Sequence, residues 1–151
     1  MRFFTKEWLK GELTDAAFDA VPIAYRHHLA TQRFPADVLL LSEVDIHDGL
    51  LLDMKHEPAS AQLMLQLRCG DLQRGYFDLH IQYSGVTRDS ESLSVLHFAM
   101  QDPKDEFLYD ELDRAGDRFE HRCILSSHRE VCIVFTTVEV RSHPVGCRTV
   151  I

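Results

Sequence analysis

The order of apolar and polar residues follows a helical period in the first third of the chain and a two-residue alternation afterwards. Between residues 14 and 34, apolar side chains recur at three- and four-residue steps, at Phe18, Val21, Tyr25 and Leu29. This spacing predicts one face of a helix that opens at Thr14 and ends before Pro35. Pro22 interrupts the pattern, so either the helix is kinked there or a new helix begins.

Two shorter segments accompany this helix. Thr5 is a residue type that caps helices, and it predicts a short helix over residues 7–9 that Gly11 ends. Residues 36–46 contain the run Leu39-Leu40-Leu41, which fits a helix and a buried strand equally well. Periodicity leaves both alternatives open for this segment.

Strict alternation after Gly49 predicts a pair of antiparallel strands. The apolar positions are Leu63, Leu65, Leu67 and Cys69 in the first strand and Phe77, Leu79, Ile81 and Tyr83 in the second. Residues 70–75 between them have the composition of a turn. Pairing Cys69 with Phe77 and Leu63 with Tyr83 puts all eight side chains on one face, whereas a slip of one residue would expose half of them.

Four further strands are predicted, over residues 93–100, 107–112, 119–125 and 131–140. Compact turns at residues 114–117 and 126–129 favour an antiparallel meander of the last three. If Ser127 and His128 form a two-residue turn, Cys123 lies directly opposite Cys132, and we expect both to be free thiols.

Helices followed by strands predict an α+β fold, with N-terminal helices packed on an antiparallel meandering β-sheet that forms a sandwich or a partly open barrel. We expect a single domain over residues 1–151, mainly helical in 1–46 and mainly antiparallel strands in 49–141. A length of 151 residues, 45% of them hydrophobic, is enough for one core.

Hydrophobic runs, charged residues and cysteine spacing indicate the cellular compartment of the protein. No apolar run is long enough for a transmembrane helix. The charged residues of the opening segment argue against a secretory signal. Cys69, Cys123, Cys132 and Cys147 lack C-x-x-C spacing and favour a reducing compartment, so we predict a cytoplasmic protein without a membrane partner.

The charge is concentrated in two stretches. The net charge is −8, which makes nucleic acid a poor partner. Residues 35–60 and residues 101–120 each carry −5, so the remaining residues carry +2. Either the acids only keep the protein soluble, or they form one docking face for a basic protein partner. The candidate docking residues are Asp48, Asp102, Asp105, Glu106, Asp110 and Asp117.

The segment from Glu43 to Glu57 also holds candidate metal ligands. His47, Asp48, Asp53 and His56 are residue types that bind a divalent metal in a small hydrolase. However, Asp48-Gly49 is a strong turn dipeptide, and neighbouring residues of a strand point to opposite faces. We therefore predict that the protein has no bound metal and no cofactor.

One cysteine is a candidate nucleophile. Cys123 and His121 share a strand face, and a nucleophilic thiol needs exposure and a positioned histidine. Both residues alternate with Phe119 and Leu125, so the pattern favours packing in the core. No residue is assigned to catalysis.

The opening Met1-Arg2-Phe3-Phe4-Thr5-Lys6-Glu7-Trp8 resembles a bacterial family of domain-of-unknown-function proteins that begin with M-[KR]-x-F-T-K-E-W. The turn Ile46-His47-Asp48-Gly49 and the strands after it are also similar to that family. The resemblance implies a bacterial, intracellular protein and supplies no catalytic residue.

The function that the sequence favours is a non-enzymatic protein-binding module of the accessory or immunity type. Two alternatives remain at this stage. One is a small metal-dependent hydrolase that uses the acids and histidines of residues 43–57. The other is a β-protein that carries a small apolar ligand.

Overall fold

A computed structural model describes residues 1–87 and 89–148 of the chain and has an α+β fold. The elements in chain order are α1 (Lys6–Leu9), α2 (Asp15–Gln32), α3 (Ala36–Glu43), β1 (Leu50–Glu57), β2 (Gln62–Asp71), β3 (Gly75–Ser84), α4 (Ser90–Gln101), β4 (Phe107–Ala115), β5 (Arg118–Leu125), β6 (Glu130–Phe135) and β7 (Thr137–Val145).

Helix α2 continues through Pro22 as a single helix of 18 residues. Proline has no N–H, so the carbonyl of Phe18, four residues earlier, lacks its helical donor. The indole N–H of Trp8 donates to that carbonyl at 3.1 Å. The side chain from α1 thus satisfies the acceptor that Pro22 leaves open. Residues 36–43 form helix α3 after Pro35, which decides between the two alternatives for this segment.

The predicted strand over residues 93–100 is wrong, because this segment lies in helix α4. Asp89 caps the helix by accepting from the backbone N–H of Glu91 at 3.1 Å. The buried residues Ser92, Leu96 and Ala99 recur at three- and four-residue steps. Local capping and this helical face outweigh the short alternation around Leu93 that suggested a strand.

The four-stranded sheet has the order β1-β2-β3-β7 and is antiparallel throughout. Its central hairpin confirms the predicted register, since Cys69 pairs with Phe77 and Leu63 pairs with Tyr83. The apolar side chains of both strands therefore point into the core.

The other sheet is the meander β4-β5-β6. The predicted pairing of Cys123 with Cys132 is wrong, because Cys123 lies opposite Val131 and Arg122 lies opposite Cys132. The loop has three residues, and its last residue, His128, is left-handed with φ 62°. Both cysteines are free thiols, and they lie on opposite faces of the sheet.

The predicted strand over residues 131–140 is divided at Thr136, where the chain passes from one sheet to the other. The hydroxyl of Thr136 donates to the carbonyl of Ser84 at 3.0 Å. A Cβ on Gly85 would lie 2.2 Å from that hydroxyl oxygen, so position 85 requires glycine where the chain passes between the sheets.

The main core lies between the two sheets, and neither sheet closes into a barrel. Helix α3 contacts β7 and β4, while helix α4 contacts β1 and β6. The two helices therefore fill the spaces between strands of different sheets. A second cluster of Phe4, Trp8 and Tyr25 joins the opening segment to α2.

Candidate functional site

The two acidic stretches meet where the loop after α3 runs beside the start of β4. The backbone N–H of Phe107 donates to the carbonyl of Gly49 at 2.8 Å, and His47 Nδ1 lies 2.8 Å from the carbonyl oxygen of Leu108. A Cβ on Gly49 would lie 2.7 Å from the carbonyl oxygen of Ile46. Glycine therefore permits the tight turn of residues 46–49 that brings the loop to this position.

A cleft of about 300 Å³ opens at this junction. We call it the acidic cleft, and its lining residues are Phe4, Tyr25, Ser42, Glu43, Val44, Asp45, Ile46, His47, Leu108, Tyr109 and Asp110. Three carboxyl groups and three aromatic rings thus surround one space. Carboxylates and aromatic faces both attract cations, so the arrangement suits a positively charged group.

The aromatic side of the acidic cleft is a packed cluster. Tyr109 stacks on Phe4 with 5.4 Å between ring centroids and meets the edge of Trp8 at 4.9 Å. Burial, with the nearby Asp48 and Asp45, raises the pKa of Tyr109. Burial and Asp110 raise the pKa of Tyr25, whose hydroxyl accepts from the N–H of Leu112 at 2.8 Å. Both phenols are therefore neutral at physiological pH.

Glu111 holds the opening segment against this cluster. Its carboxyl group is buried and accepts from the backbone N–H groups of Arg2, Phe3 and Phe4, at 2.8 Å for Phe3 and 3.3 Å for Phe4. Arg122 Nη1 lies 3.6 Å from the same group. One side chain of β4 thus satisfies three consecutive donors and positions Phe4 in the cleft wall.

A buried hydrogen-bonded chain lies behind Asp110, between the two sheets. Tyr83 Oη is 2.7 Å from His121 Nδ1, and His121 Nε2 is 2.9 Å from Asp110 Oδ2. Cys123 Sγ lies 3.7 Å from the same Nε2 atom. Cys123, His121 and Tyr83 are buried, as the alternation of residues 119–125 predicted for the first two.

The environment sets the proton positions in this chain. Burial favours the neutral imidazole, but the side chains of Cys123 and Tyr83 and the hydrogen bond from His121 Nε2 to the Asp110 carboxylate together raise the pKa of His121 well above its ordinary value. Burial also raises the pKa of Tyr83 to about 12 and raises the pKa of the Cys123 thiol. The thiol is therefore protonated at neutral pH, which is unlike a nucleophilic cysteine.

The predicted metal ligands do not converge on one point. His47 Nε2 lies 3.4 Å from Asp48 Oδ1, and both side chains are on the exposed loop. On β1, Asp53 pairs with Gln66 on the outer face of the sheet, while His56 pairs with Leu63 on the inner face. Within the described residues, no group of three or more His, Cys, Asp and Glu side chains is arranged to hold a metal ion.

The predicted docking acids lie in different surroundings. Asp105 is 3% exposed and accepts from Arg129 at 2.6 Å, so it belongs to the interior. Glu106 pairs with Arg148, which also donates to the carbonyl of Asp48 at 3.2 Å.

Of the four remaining candidates, Asp48 has its exposed side chain on the loop after α3, and the other three lie on different parts of the fold. Asp102 ends helix α4, and Asp117 lies in the loop between β4 and β5. Only Asp110 lines the acidic cleft, where it joins the buried chain.

Sequence reasoning missed Glu43 and Asp45 as cleft residues and Glu111 as an anchor. The sequence does contain a signal for Asp110 and Glu111. Successive residues of a strand point to opposite faces, so one of these two neighbouring acids of β4 must point inward. Because the facing partners come from residues far along the chain, the pattern by itself does not identify what these acids bind.

The buried thiol of Cys69 and the phenol of Tyr83 predict a loss of stability at alkaline pH. Burial, with Asp45, Asp78 and Asp110 nearby, raises the pKa of Cys69 from 9.0 to about 12. Above pH 9 the unfolded chain loses a proton that the folded protein keeps, so stability falls as pH rises, by up to about 1.4 kcal/mol per pH unit for each group.

Urea unfolding from about pH 8 to about pH 11 should therefore show a decrease of several kcal/mol in the free energy of unfolding. Cys69→Ala should make the profile above pH 9 less steep by the contribution of one thiol, while the buried thiol of Cys123 and the phenol of Tyr83 still contribute the remaining slope. Equal slopes for Cys69→Ala and the wild-type protein would contradict this assignment.

No helix of the described residues combines the length and apolar character needed to cross a membrane. No protein-family model matches the chain, and neither a curated protein nor a solved structure matches it. The resemblance of residues 1–8 to a bacterial family thus stays a sequence-based hypothesis.

Proposed function

We propose that the protein is a non-enzymatic protein-binding module that receives a lysine or arginine side chain of a basic partner in the acidic cleft. The observation that carries this proposal is the meeting of Glu43, Asp45 and Asp110 with Tyr25 and Tyr109 around one space. A cation there gains from the carboxylates and from the electron-rich ring faces together.

The charges already present leave the cleft available to a partner. Arg74 Nη1 lies 3.0 Å from Asp45 Oδ2, and both side chains are exposed. An exposed pair of this kind contributes little stability, at most about 1 kcal/mol, so a guanidinium of the partner can replace Arg74. Asp110 is already held by His121, so Glu43 and Asp45 carry the negative charge of the cleft that is open to a partner.

An accessory or immunity-type role in a bacterial cytoplasm is part of the same proposal. The free thiols of Cys69, Cys123 and Cys132 support a reducing compartment. Charge complementarity acts mainly on the association rate, which would suit a module that must capture a basic protein quickly.

The test uses Trp8, the single tryptophan of the chain, whose ring contacts Tyr109 in the cleft wall. We expect a short arginine-containing peptide to change the Trp8 emission, and the same peptide with citrulline in place of arginine to have no effect. Glu43→Lys with Asp45→Lys should weaken binding by roughly tenfold or more, because two attractive charges become repulsive.

Asp117→Lys is the matched control, because Asp117 lies far from the acidic cleft. It is in the hairpin loop at the other end of β4, roughly 20 Å along the strand from Asp110. This variant should bind the arginine peptide nearly as well as the wild-type protein. Equal binding of the citrulline peptide, or equal losses in the cleft and control variants, would refute the proposal.

A further inference from the structure

The outer face of the four-stranded sheet carries a polar surface that the acidic cleft does not involve. A depression of about 350 Å³ lies on this face, and its lining comes entirely from β1, β2, β3 and β7. We call eight of the outward side chains that line it the sheet face: Asp53, Lys55, Met64, Gln66, His80, Gln82, Glu139 and Arg141.

The strand register arranges the sheet face in two rows. Asp53, Gln66, His80 and Arg141 form one row across the four strands. Lys55, Met64, Gln82 and Glu139 form the other row. The ends of the rows are the four charged corners, and their signs alternate around the rectangle.

We infer that the sheet face binds a second copy of this chain, face to face, about a twofold axis. A half-turn about an axis that lies in the plane of the sheet and is parallel to an edge of this rectangle places each corner of one copy over a neighbouring corner of the other. Every such neighbour has the opposite sign, so Asp53 meets Arg141 or Lys55, and Glu139 meets the remaining cation. The surface is therefore complementary to itself, as a closed dimer requires.

The corner side chains are free to form these contacts. Lys55, Arg141 and Glu139 are 63%, 67% and 54% exposed. Lys55 lies 2.5 Å from Glu57, and Arg141 Nε donates to Glu139 at 2.9 Å. Exposed pairs of this kind contribute little, so they can exchange for contacts across the interface.

The extent of the sheet face limits the strength of the dimer. Four strands place the outer corners roughly 14 Å apart, and at one end the surface is bounded by Arg68, which donates to Asp78 and to the carbonyl of Cys147. This area is below that of a standard stable interface. Since Met64 is the main apolar side chain in it, association should be weak and sensitive to salt.

A strongly basic or strongly acidic partner fits this surface poorly. The four corners carry no net charge, so a partner of one sign would be repelled by two of them. The proposed dimer is also separate from the acidic cleft, because none of the eight residues of the sheet face lines that cleft. Failure of either proposal leaves the other intact.

Sedimentation equilibrium of the full chain tests the inference. We expect a reversible monomer–dimer equilibrium at about 20 mM salt that weakens by roughly tenfold at about 500 mM salt. Lys55→Glu with Arg141→Glu makes all four corners acidic and should give a monomer. Asp53→Lys with Glu139→Lys makes all four corners basic and should also give a monomer.

Mixing the acidic and basic double variants is the decisive experiment. The four acidic corners of one variant then face the four basic corners of the other, so a heterodimer should form. The variant with all four corners reversed restores the alternation and should dimerise like the wild-type protein. Circular dichroism checks that each variant is folded. A wild-type protein that stays monomeric at millimolar concentration, or double variants that fail to associate on mixing, would overturn the inference.

Discussion

Glu111→Ala is expected to destabilise the folded protein by about 3 kcal/mol, because it leaves three backbone N–H groups, partly or fully buried, without their acceptor. The opening segment should then separate from the sheet, which would expose Trp8 to water. Thermal or urea unfolding measures the loss, and a red shift of Trp8 emission before the main transition reports the detachment.

Glu120→Ala is the matched control for this variant. Glu120 pairs with Arg122, the same cation that faces Glu111, but no backbone N–H donates to it within hydrogen-bonding distance in the described chain. Its removal should cost less than about 1 kcal/mol. If both variants lost the same stability, the effect would come from Arg122, and the anchoring role of Glu111 would be wrong.

His121→Leu should destabilise the protein by about 3 kcal/mol or more, because Tyr83 and Asp110 each lose a partner between the sheets. Tyr83→Phe should cost about 1 kcal/mol in the wild-type protein and much less in the His121→Leu variant, since its partner is already absent there. Urea unfolding of the four proteins in this cycle measures the coupling. Additive losses would show that Tyr83 and His121 act independently.

The cost of His121→Leu should also depend on pH. The pKa of His121 in the folded protein lies above its unfolded value of 6.5. The stabilisation from the charged imidazole is therefore complete below pH 6.5 and disappears as pH rises through the folded pKa. The variant should differ most from the wild-type protein in mildly acidic buffer.

The hairpin of β2 and β3 shows that the alternation of apolar and polar residues can determine the register of two strands. Leu63 to Cys69 and Phe77 to Tyr83 alternate without a break, and only one register buries all the apolar positions. The same criterion applied to β5 and β6 would have placed Cys123 opposite Val131 and avoided the wrong pairing with Cys132. The loop contains three residues, 126–128, and not two, and this extra residue shifts the pairing of β6 by one position.

The segment over residues 93–100 shows where the spacing of apolar residues fits both a strand and a helix. Leu93, Val95 and His97 alternate like a strand, while Ser92, Leu96 and Ala99 fit one face of a helix. The cap from Asp89 and packing against both β1 and β6 decide for the helix. Short segments with two acceptable periods are resolved by what they pack against, and that partner is distant in sequence.

The α+β class, the alternating strands and the central register follow from the order of apolar and polar residues, because burial of apolar side chains imposes these features locally. Packing of distant segments is what lets Glu111 bind the opening segment, lets His121 link Tyr83 to Asp110, and places the acids at residues 43–45 and Asp110 around one cleft. These groups lie far apart along the chain. Their contacts depend on how the two sheets and the loop after α3 pack together, which no local pattern specifies.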